Sequence, residues 1–333
     1  MEIGGSGEVG SEGRAGALAL SLLATPHNRE ILDELSRGPR RLSELRRLSG
    51  SPPQTTLRAR LEQLGEMGVV TRRKLNLFPS VREYELTGPP GRELLFVATT
   101  VDGWLASAPE EPLTFSSEGG RVALMALAES WSSTLLQTLA AEPGKPMDLD
   151  RGAGRHGRVA LERQLDQLRA AGLIAGGEGE GGRKSYEISD WLRKGTGPIA
   201  AAARWERRHV PHAVPLNPID AEAGFLLAMP LLKPPLDLAG SCRLGIEFGS
   251  GRERRLAGVT VEVGGGRVIS CTTRLETCPA AWATGPPEAW LRTTIEANPN
   301  RLELGGDRRL VRGLIDGLNQ ALFGPARPLP PQQ

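Results

Sequence analysis

Between Ser51 and Thr87 the apolar positions change period, which predicts a helix followed at once by a hairpin. Leu57, Leu61, Leu64 and Gly68 recur at helical spacing, so one stripe faces a core. Thr55, Arg58 and Glu62 fall on the opposite side, with Thr56, Arg60 and Gln63 on its flanks. Ser51 suits an N-cap, Pro52 and Pro53 suit the first turn, and Gln54 stands where it would complete a capping box. Gly68 can take the left-handed conformation that closes a helix. Apolar and polar residues then alternate in twos over Val69–Leu75 and Val81–Leu86, around a turn containing Asn76, Pro79 and Ser80. That is a hairpin pattern, and it carries Arg72, Arg73, Lys74 and Arg82.

The flanking segments supply the other elements of one unit. Leu18–Leu23 is a short apolar helix, and His27–Arg37 has an apolar face of Ile31, Leu32 and Leu35 before Gly38-Pro39 stops it. Leu42–Leu48 is short and amphipathic, with its cap left open between Ser36 and the Arg40–Arg41 turn. After the hairpin, Pro90–Ser107 returns as a helix carrying Leu94, Leu95, Val97, Val101 and Trp104. Helix, short helix, turn with Gly50, helix and basic hairpin is the order of a winged helix-turn-helix that reads duplex DNA. Ser51, Gln54, Thr55, Thr56, Arg58 and Arg60 are its candidate reading residues. Arg72, Arg73, Lys74 and Arg82 are candidates for phosphate, together with Arg46 and the neighbouring Arg40, Arg41 and Arg47.

The pattern then recurs. Leu32–Val70 maps without a gap, 104 residues on, onto Leu136–Ile174, which places Pro39 on Pro143, Leu45 on Leu149, Leu57 on Leu161, Leu61 on Leu165 and Leu64 on Leu168. REYEL (82–86) returns as KSYEI (184–188), and Ile199–His209 is a closing helix. A second winged helix is therefore expected over 121–210, after a linker at 108–120. Its reading face differs, because Thr55 becomes Val159, Arg58 becomes Glu162 and Arg60 becomes Gln164. Arg72-Arg73-Lys74 becomes Gly176-Gly177-Glu178, and a glutamate in that place repels phosphate. Arg151, Arg155, His156, Arg158, Arg163, Arg183 and Lys184 keep some basic character, so this copy is expected to be the weaker reader.

Beyond Pro211–Pro218 the chain turns to another architecture, expected over 218–324. Ala221–Leu232 is a strongly apolar helix, followed by alternating runs at Cys242–Phe248, Leu256–Val263 and Val268–Leu275. Gly264-Gly265-Gly266 reads as the hairpin turn between the last two. The segment Pro279–Ala297 holds Trp282 and Trp290, Arg301–Leu304 is a strand, and Arg308–Phe323 is a helix with Leu310, Leu314, Leu318 and Leu322. Phe225, Met229, Trp282 and Trp290 are candidate walls of an enclosed apolar pocket of several hundred Å³ (roughly the usual size of a small-molecule site). Core filling is the simpler account of any one of them.

Composition narrows the function class only a little. At 333 residues there is room for two or three cores, and a formal net charge of +2 points to no partner, so only a local basic surface could. Cys242, Cys271 and Cys278 are odd in number and at no metal-ligand spacing, as in a reduced cytoplasmic protein. Residues 1–16 and 325–333 read as tails, and GSGEVG (5–10) lacks the strand and βαβ context a dinucleotide fingerprint needs. Ala17–Ala24 is too short for a membrane span, His209 and His212 read as a solvated linker, and no catalytic, metal or cofactor motif stands out.

Gly38-Pro39-Arg40, Arg60-Leu61, Gly68 and Arg82-Glu83-Tyr84-Glu85-Leu86-Thr87 together make residues 18–107 resemble the HxlR-type winged-helix regulators. One departure is an extra residue, Gly88-Pro89-Pro90, ahead of Gly91-Arg92. The three strands, ATGPPEAWLRTTI and RLELGGDRRLVRGLIDGL with its Gly306-Asp307 step, make 220–324 resemble a sterol-carrier-protein-type fold. The expected class is thus α+β: two winged helices, then a sheet-and-helix domain. The first resemblance implies a non-enzymatic transcriptional regulator bound to double-stranded DNA, and the second an apolar small-molecule effector. Two copies on one chain suggest an intramolecular pseudo-dimer, with a homodimer of two chains as the competing arrangement. An apolar-ligand carrier, whose winged helices serve protein–protein contact, is the alternative function.

Overall fold

A computed structural model describes residues 14–48, 51–75, 81–129, 133–141, 157–178 and 184–324. Gly5–Gly10, Gly50, the Asn76–Ser80 turn, Arg151, Arg155, His156, Arg183 and 325–333 lie outside them.

The first unit runs α1 (Ala17–Ala24), α2 (Asn28–Ser36), β1 (Arg40–Arg41), α3 (Leu42–Leu45), α4 (Gln54–Glu66), β2 (Val70–Leu75), β3 (Val81–Leu86) and α5 (Pro89–Ala106). Its sheet has the order β1-β3-β2, all antiparallel. Leu57, Leu61 and Leu64 of α4 are buried against Ile31, Leu32 and Leu35 of α2, as the periodicity requires. Gly68, at φ 69°, ends α4, with its own N–H and that of Val69 donating to Gly65 O and Leu64 O.

The start of α4 differs from the sequence expectation. Its cap is Pro53, in an extended conformation, and no side chain bonds there, so Ser51 is not the N-cap and Gln54 completes no capping box. A residue before proline is steered away from helix, which pushes the first turn past the second proline. At α3 the open question resolves on Arg41, whose N–H donates to Glu44 Oε2 at 2.6 Å. The extra residue before Gly91 is absorbed in the first turn of α5, where Pro89 and Pro90 need no N–H partner. Gly91 presses against Val69 O, which a Cβ would meet at 2.7 Å.

In the middle unit α6 (Glu118–Glu129), α7 (Ser133–Ala141), α8 (Gly157–Ala170), the hairpin β4 (Ile174–Glu178) and β5 (Lys184–Ile188), then α9 (Asp190–Lys194) and α10 (Thr196–His209) follow in order. The first and middle units share one continuous hydrophobic core, from Ala19 and Leu20 through Leu124, Leu165 and Trp205. Helices α1 and α6 pack on each other, and so do α5 and α10. At one end of the α5–α10 contact Trp104 Nε1 donates to Trp191 O at 2.9 Å; at the other, Trp205 Nε1 donates to Pro90 O at 2.8 Å. Between these two bonds the donor moves 101 residues later in the chain and the acceptor 101 residues earlier. Trp191 Nε1 returns a bond to Trp104 O at 2.9 Å, and the two indoles stack with centroids 4.8 Å apart.

The C-terminal unit is a five-stranded sheet in the order β10-β9-β6-β7-β8, formed by β6 (Gly240–Phe248), β7 (Arg255–Gly264), β8 (Arg267–Thr272), β9 (Ala281–Gly285) and β10 (Glu303–Gly306). Only β6 and β9 pair in parallel. Helices α11 (Pro218–Ala228), α12 (Pro287–Glu296) and α13 (Arg308–Phe323) pack on the sheet. The Trp-bearing segment 279–297 divides into a strand and a helix, which puts Trp282 and Trp290 on different elements. Gly265 and Gly266, both at positive φ, make the hairpin turn.

Asp307 caps α13 by accepting from Arg309 N at 2.9 Å and Leu310 N at 3.2 Å. The preceding Gly306 has φ 67°, and a Cβ there would sit 2.0 Å from Ala280 O. Gly265 has a similar φ of 59° with nothing within 4 Å of where a Cβ would sit. Gly306→Ala is expected to cost about 1 kcal/mol or more beyond Gly265→Ala, because backbone collision adds to the strain of the positive φ that both positions have. Urea unfolding midpoints measure the difference, and equal losses would contradict it.

Candidate nucleic-acid interface

Helix α4 presents Gln54, Thr55, Arg58, Ala59 and Glu62 to solvent, while Thr56 and Arg60 are half-buried on its flanks. Arg60 Nε is buried with no hydrogen-bond partner, in a residue that is half-buried as a whole. Ser51 is exposed ahead of the helix at φ 41°.

The hairpin sorts its basic residues by strand parity. Arg72 is opposite Tyr84 and Lys74 opposite Arg82, on the face where Val70, Tyr84 and Leu86 meet the core shared with α4. Arg73 projects from the reverse face, opposite Glu83. The four basic residues nominated together by sequence thus form one helix-side cluster, Arg72, Lys74 and Arg82, and one outlier among glutamates.

Ion pairing separates structural arginines from available ones. Arg29 holds Asp33 and Asp102, Arg37 and Arg40 hold Glu34, and Arg41 holds Glu83. Arg40 and Arg41 are therefore linked to carboxylates of their own unit. Among the described residues, Arg46, Arg47, Arg58, Arg72, Arg73, Lys74 and Arg82 make no ion pair, and all are exposed. Solvated cations without carboxylate partners, on the end of a helix-turn-helix and its hairpin, are the chemistry that meets a phosphate backbone. In the middle unit the matching positions are poorer. Val159 is 80% exposed, and Gly176-Gly177-Glu178 stands 104 residues after the basic run of β2.

The expected apolar pocket takes a different form. Phe225 and Trp290 meet edge to face, with centroids 5.2 Å apart, and both border a cavity, but its volume is about 90 Å³. Space of several hundred Å³ is absent there because Phe225, Trp290, Leu318 and Leu322 fill the layer between helices and sheet. Met229 is fully buried in that core and does not border the cavity. Trp282 is on the far face of the sheet, lying over Gly305, where a Cβ would be 2.3 Å from its ring. Alternation along β9 sends the side chain at 282 away from the buried Ala281 and Ala283.

Arg14, assigned by sequence to a tail, borders the same cavity. Its Nη2 donates to Leu127 O at 2.9 Å and to Ala128 O at 3.3 Å, and Ala15 is buried. Burial pulls its pKa down to about 10, opposed by the Asp220 and Glu206 charges. Glu206 of α10 closes the N-terminus of α1, accepting from Gly16 N and Ala19 N at 2.7 Å each. Burial pushes its carboxyl up, and these backbone donors work against the rise.

The histidines and cysteines of the described residues take the following places. His209, expected in a solvated linker, ends α10 with Nε2 3.0 Å from Glu93 Oε2, whereas His212 is exposed. All three cysteines are free, and burial pushes the Cys242 and Cys271 thiols up to about 12. Among the described residues no group of His, Cys, Asp or Glu could hold a metal ion, and no helix is long and apolar enough to cross a membrane.

The geometry of the first unit is that of a winged helix-turn-helix, the class whose second helix enters a DNA groove. Residues 25–111 match the HxlR-like helix-turn-helix family, so the chain carries an HxlR-like winged helix at this end. A MarR-family transcriptional regulator from Enterococcus faecalis V583 is 33% identical over 26% of this chain and 78% of its own, with a TM-score of 0.25. The reduced form of the transcriptional regulator YodB from B. subtilis is 30% identical over 28% of this chain and 90% of its own, with a TM-score of 0.26. No curated protein matches the chain.

Proposed function

We propose that this chain is a non-enzymatic, DNA-binding transcriptional regulator that reads duplex DNA with its first winged helix. The observation that carries this is the set of exposed, unpaired cations on α4, the hairpin and the turn after α3, beside structural arginines that are nearly all neutralised. Thr55 and Arg58 stand where base edges would be met. Arg46, Arg72, Lys74 and Arg82 would position the backbone, with Arg73 secondary and Arg60 acting from the flank. Ser51, Gln54 and Thr56 border this surface.

The middle unit is read as a degenerate second winged helix. Among the described residues two helices, then a helix, a hairpin and closing helices follow the first unit's order, and the shared core and the tryptophan bonds support an intramolecular pseudo-dimer. One chain would then bind an asymmetric site. The C-terminal unit is read as a sterol-carrier-like effector domain. Its contact with α10, the helix that also packs on α5, gives a route by which occupancy could reach the first unit.

Duplexes selected from a random pool, followed by footprinting and sedimentation of the complex, test this reading. One chain on a non-palindromic footprint is expected. Arg58→Ala should relax specificity by roughly 1–3 kcal/mol if the guanidinium pairs with a base edge, and Gln164→Ala should change little. Two chains on a palindrome would defeat the pseudo-dimer, and failure to select any duplex at moderate salt would defeat the regulator.

A further inference from the structure

A second cleft, of about 580 Å³, lies where all three units meet. Helix α5 of the first unit, α9 of the middle unit, and the turn Met229–Leu231 with the last turn of α13 in the C-terminal unit all border it. Trp104, Leu231, Leu322 and Phe323, each buried or half-buried, supply its apolar part. The polar groups divide by what they can offer. Thr99 and Thr100 donate to Leu95 O and Phe96 O at 3.0 Å each, and Ser107 donates to Trp104 O at 2.9 Å, so these hydroxyls have spent their protons on their own helix. Lys194, at the end of α9, and Lys233, just past the turn, are exposed and make no ion pair among the described residues. The elements that carry them touch. Asp190 is the acid in the lining, and Arg193 Nε stands 3.9 Å from it.

We propose that this cleft binds a small organic carboxylate, its head group meeting Lys194 and Lys233 and its carbon body lying against Trp104, Leu231 and Phe323. Size admits such a ligand, since small-molecule sites run from roughly 300 to 1,000 Å³. Charge sets the head group. The side-chain donors left in the lining are the two ammoniums and the Gln320 amide, and an ammonium binds an ionised acceptor far better than a neutral one. A cationic ligand would find only Asp190, which already faces Arg193. An inorganic anion would leave the apolar part of the cleft wet, and a hydrocarbon would leave both ammoniums without a partner. A carboxylate on a compact aromatic or aliphatic body satisfies both halves. Its occupant would touch α5, the helix that follows the hairpin, together with both other units. The regulatory meaning of that contact rests on the function proposed above, but binding itself does not.

The probe is 4-(trifluoromethyl)phenylacetate, compared with its amide, which keeps the shape and loses the charge. Both are titrated into the full chain without DNA and followed by fluorine NMR. The acid should saturate with a Kd of about 1 mM or tighter, as expected for a ligand of this size, and bind about tenfold more tightly than the amide. Lys194→Gln with Lys233→Gln should weaken the acid about tenfold and leave the amide within about twofold. Arg308→Gln removes the same charge from an exposed position twelve residues before Gln320 on α13, roughly 18 Å along the helix, and should leave the acid within about twofold. Gly103 borders the cleft from α5 with nothing within 4 Å of where a Cβ would sit, so Gly103→Trp should occupy the space and weaken both probes about tenfold. Both sets of substitutions fall on exposed positions, and circular dichroism verifies folding; Gly103→Leu replaces the tryptophan variant if that one does not fold. No saturation by the acid, equal affinity for acid and amide, or an acid affinity untouched by the double lysine variant would overturn the assignment. So would a loss from Arg308→Gln equal to that from the lysines, or binding indifferent to Gly103→Trp. If the acid binds as expected but leaves affinity for the selected duplex unchanged, the site stands and its regulatory meaning falls.

Discussion

Replacing Arg72, Lys74 and Arg82 together by glutamine is expected to lower affinity for the selected duplex on the order of 100-fold, at about 1 kcal/mol for each charge-assisted hydrogen bond to phosphate that disappears. The slope of log K against log salt should fall by about 2.7, since each neutralised phosphate contributes about 0.9. Arg73→Gln should change affinity by about twofold or less, because the hairpin turns residue 73 to the face opposite the helices, where its partner is Glu83. Equilibrium binding across a salt series reads both quantities. Sequence alone ranks the four residues equally, so a large loss from Arg73→Gln with little from the triple variant would show that the reverse face meets DNA. A loss independent of salt would mean the substitutions had damaged the fold.

Trp205→Ala is expected to be the most destabilising single change in the helical half of the molecule. The side chain is 1% exposed in the shared core, and truncating a buried tryptophan costs about 3–5 kcal/mol. The truncation also leaves Pro90 O without the indole donor that reaches it from α10. Because one core spans the first and middle units, both should lose protection together in hydrogen exchange, with α1 and α4 opening alongside α8. Trp205→Phe keeps most of the volume, and should cost about 1–2 kcal/mol for the missing hydrogen bond and the partly emptied site. If Trp205→Ala opened the middle unit and left α4 fully protected, the two units would be separate folding bodies. The pseudo-dimer would then lose its structural basis.

The tryptophan bonds also show how far a repeat is legible in sequence. Its offset is 104 over the helices, 102 at the closing strand of the hairpin and 101 at the exchanged tryptophans, as the second copy shortens between them. Each segment reveals its own copy by periodicity. The contact between the two segments is visible only where Trp104 and Trp205 reach across, because it joins groups 87 and 115 residues apart in the chain.

What the sequence by itself determined is local. The stripe of Leu57, Leu61 and Leu64, the stop at Gly68 and the hairpin turn within Gly264-Gly265-Gly266 all follow from dihedral preference and side-chain period. These act within a few residues, so the pattern contains them. Tertiary structure decided what each charge and ring is for. It neutralised Arg40 and Arg41 through Glu34 and Glu83 but left Arg46 and Arg47 without ion pairs, and it buried Arg14 against carbonyls over a hundred residues away. It also sent Met229 into the core and Trp282 to the far side of the sheet, while keeping Phe225 and Trp290 on the cavity. Composition does not encode these outcomes, because a guanidinium or an indole looks the same in sequence whether its partner is water, a carboxylate or a distant backbone carbonyl. Only the path of the chain brings one of them within reach.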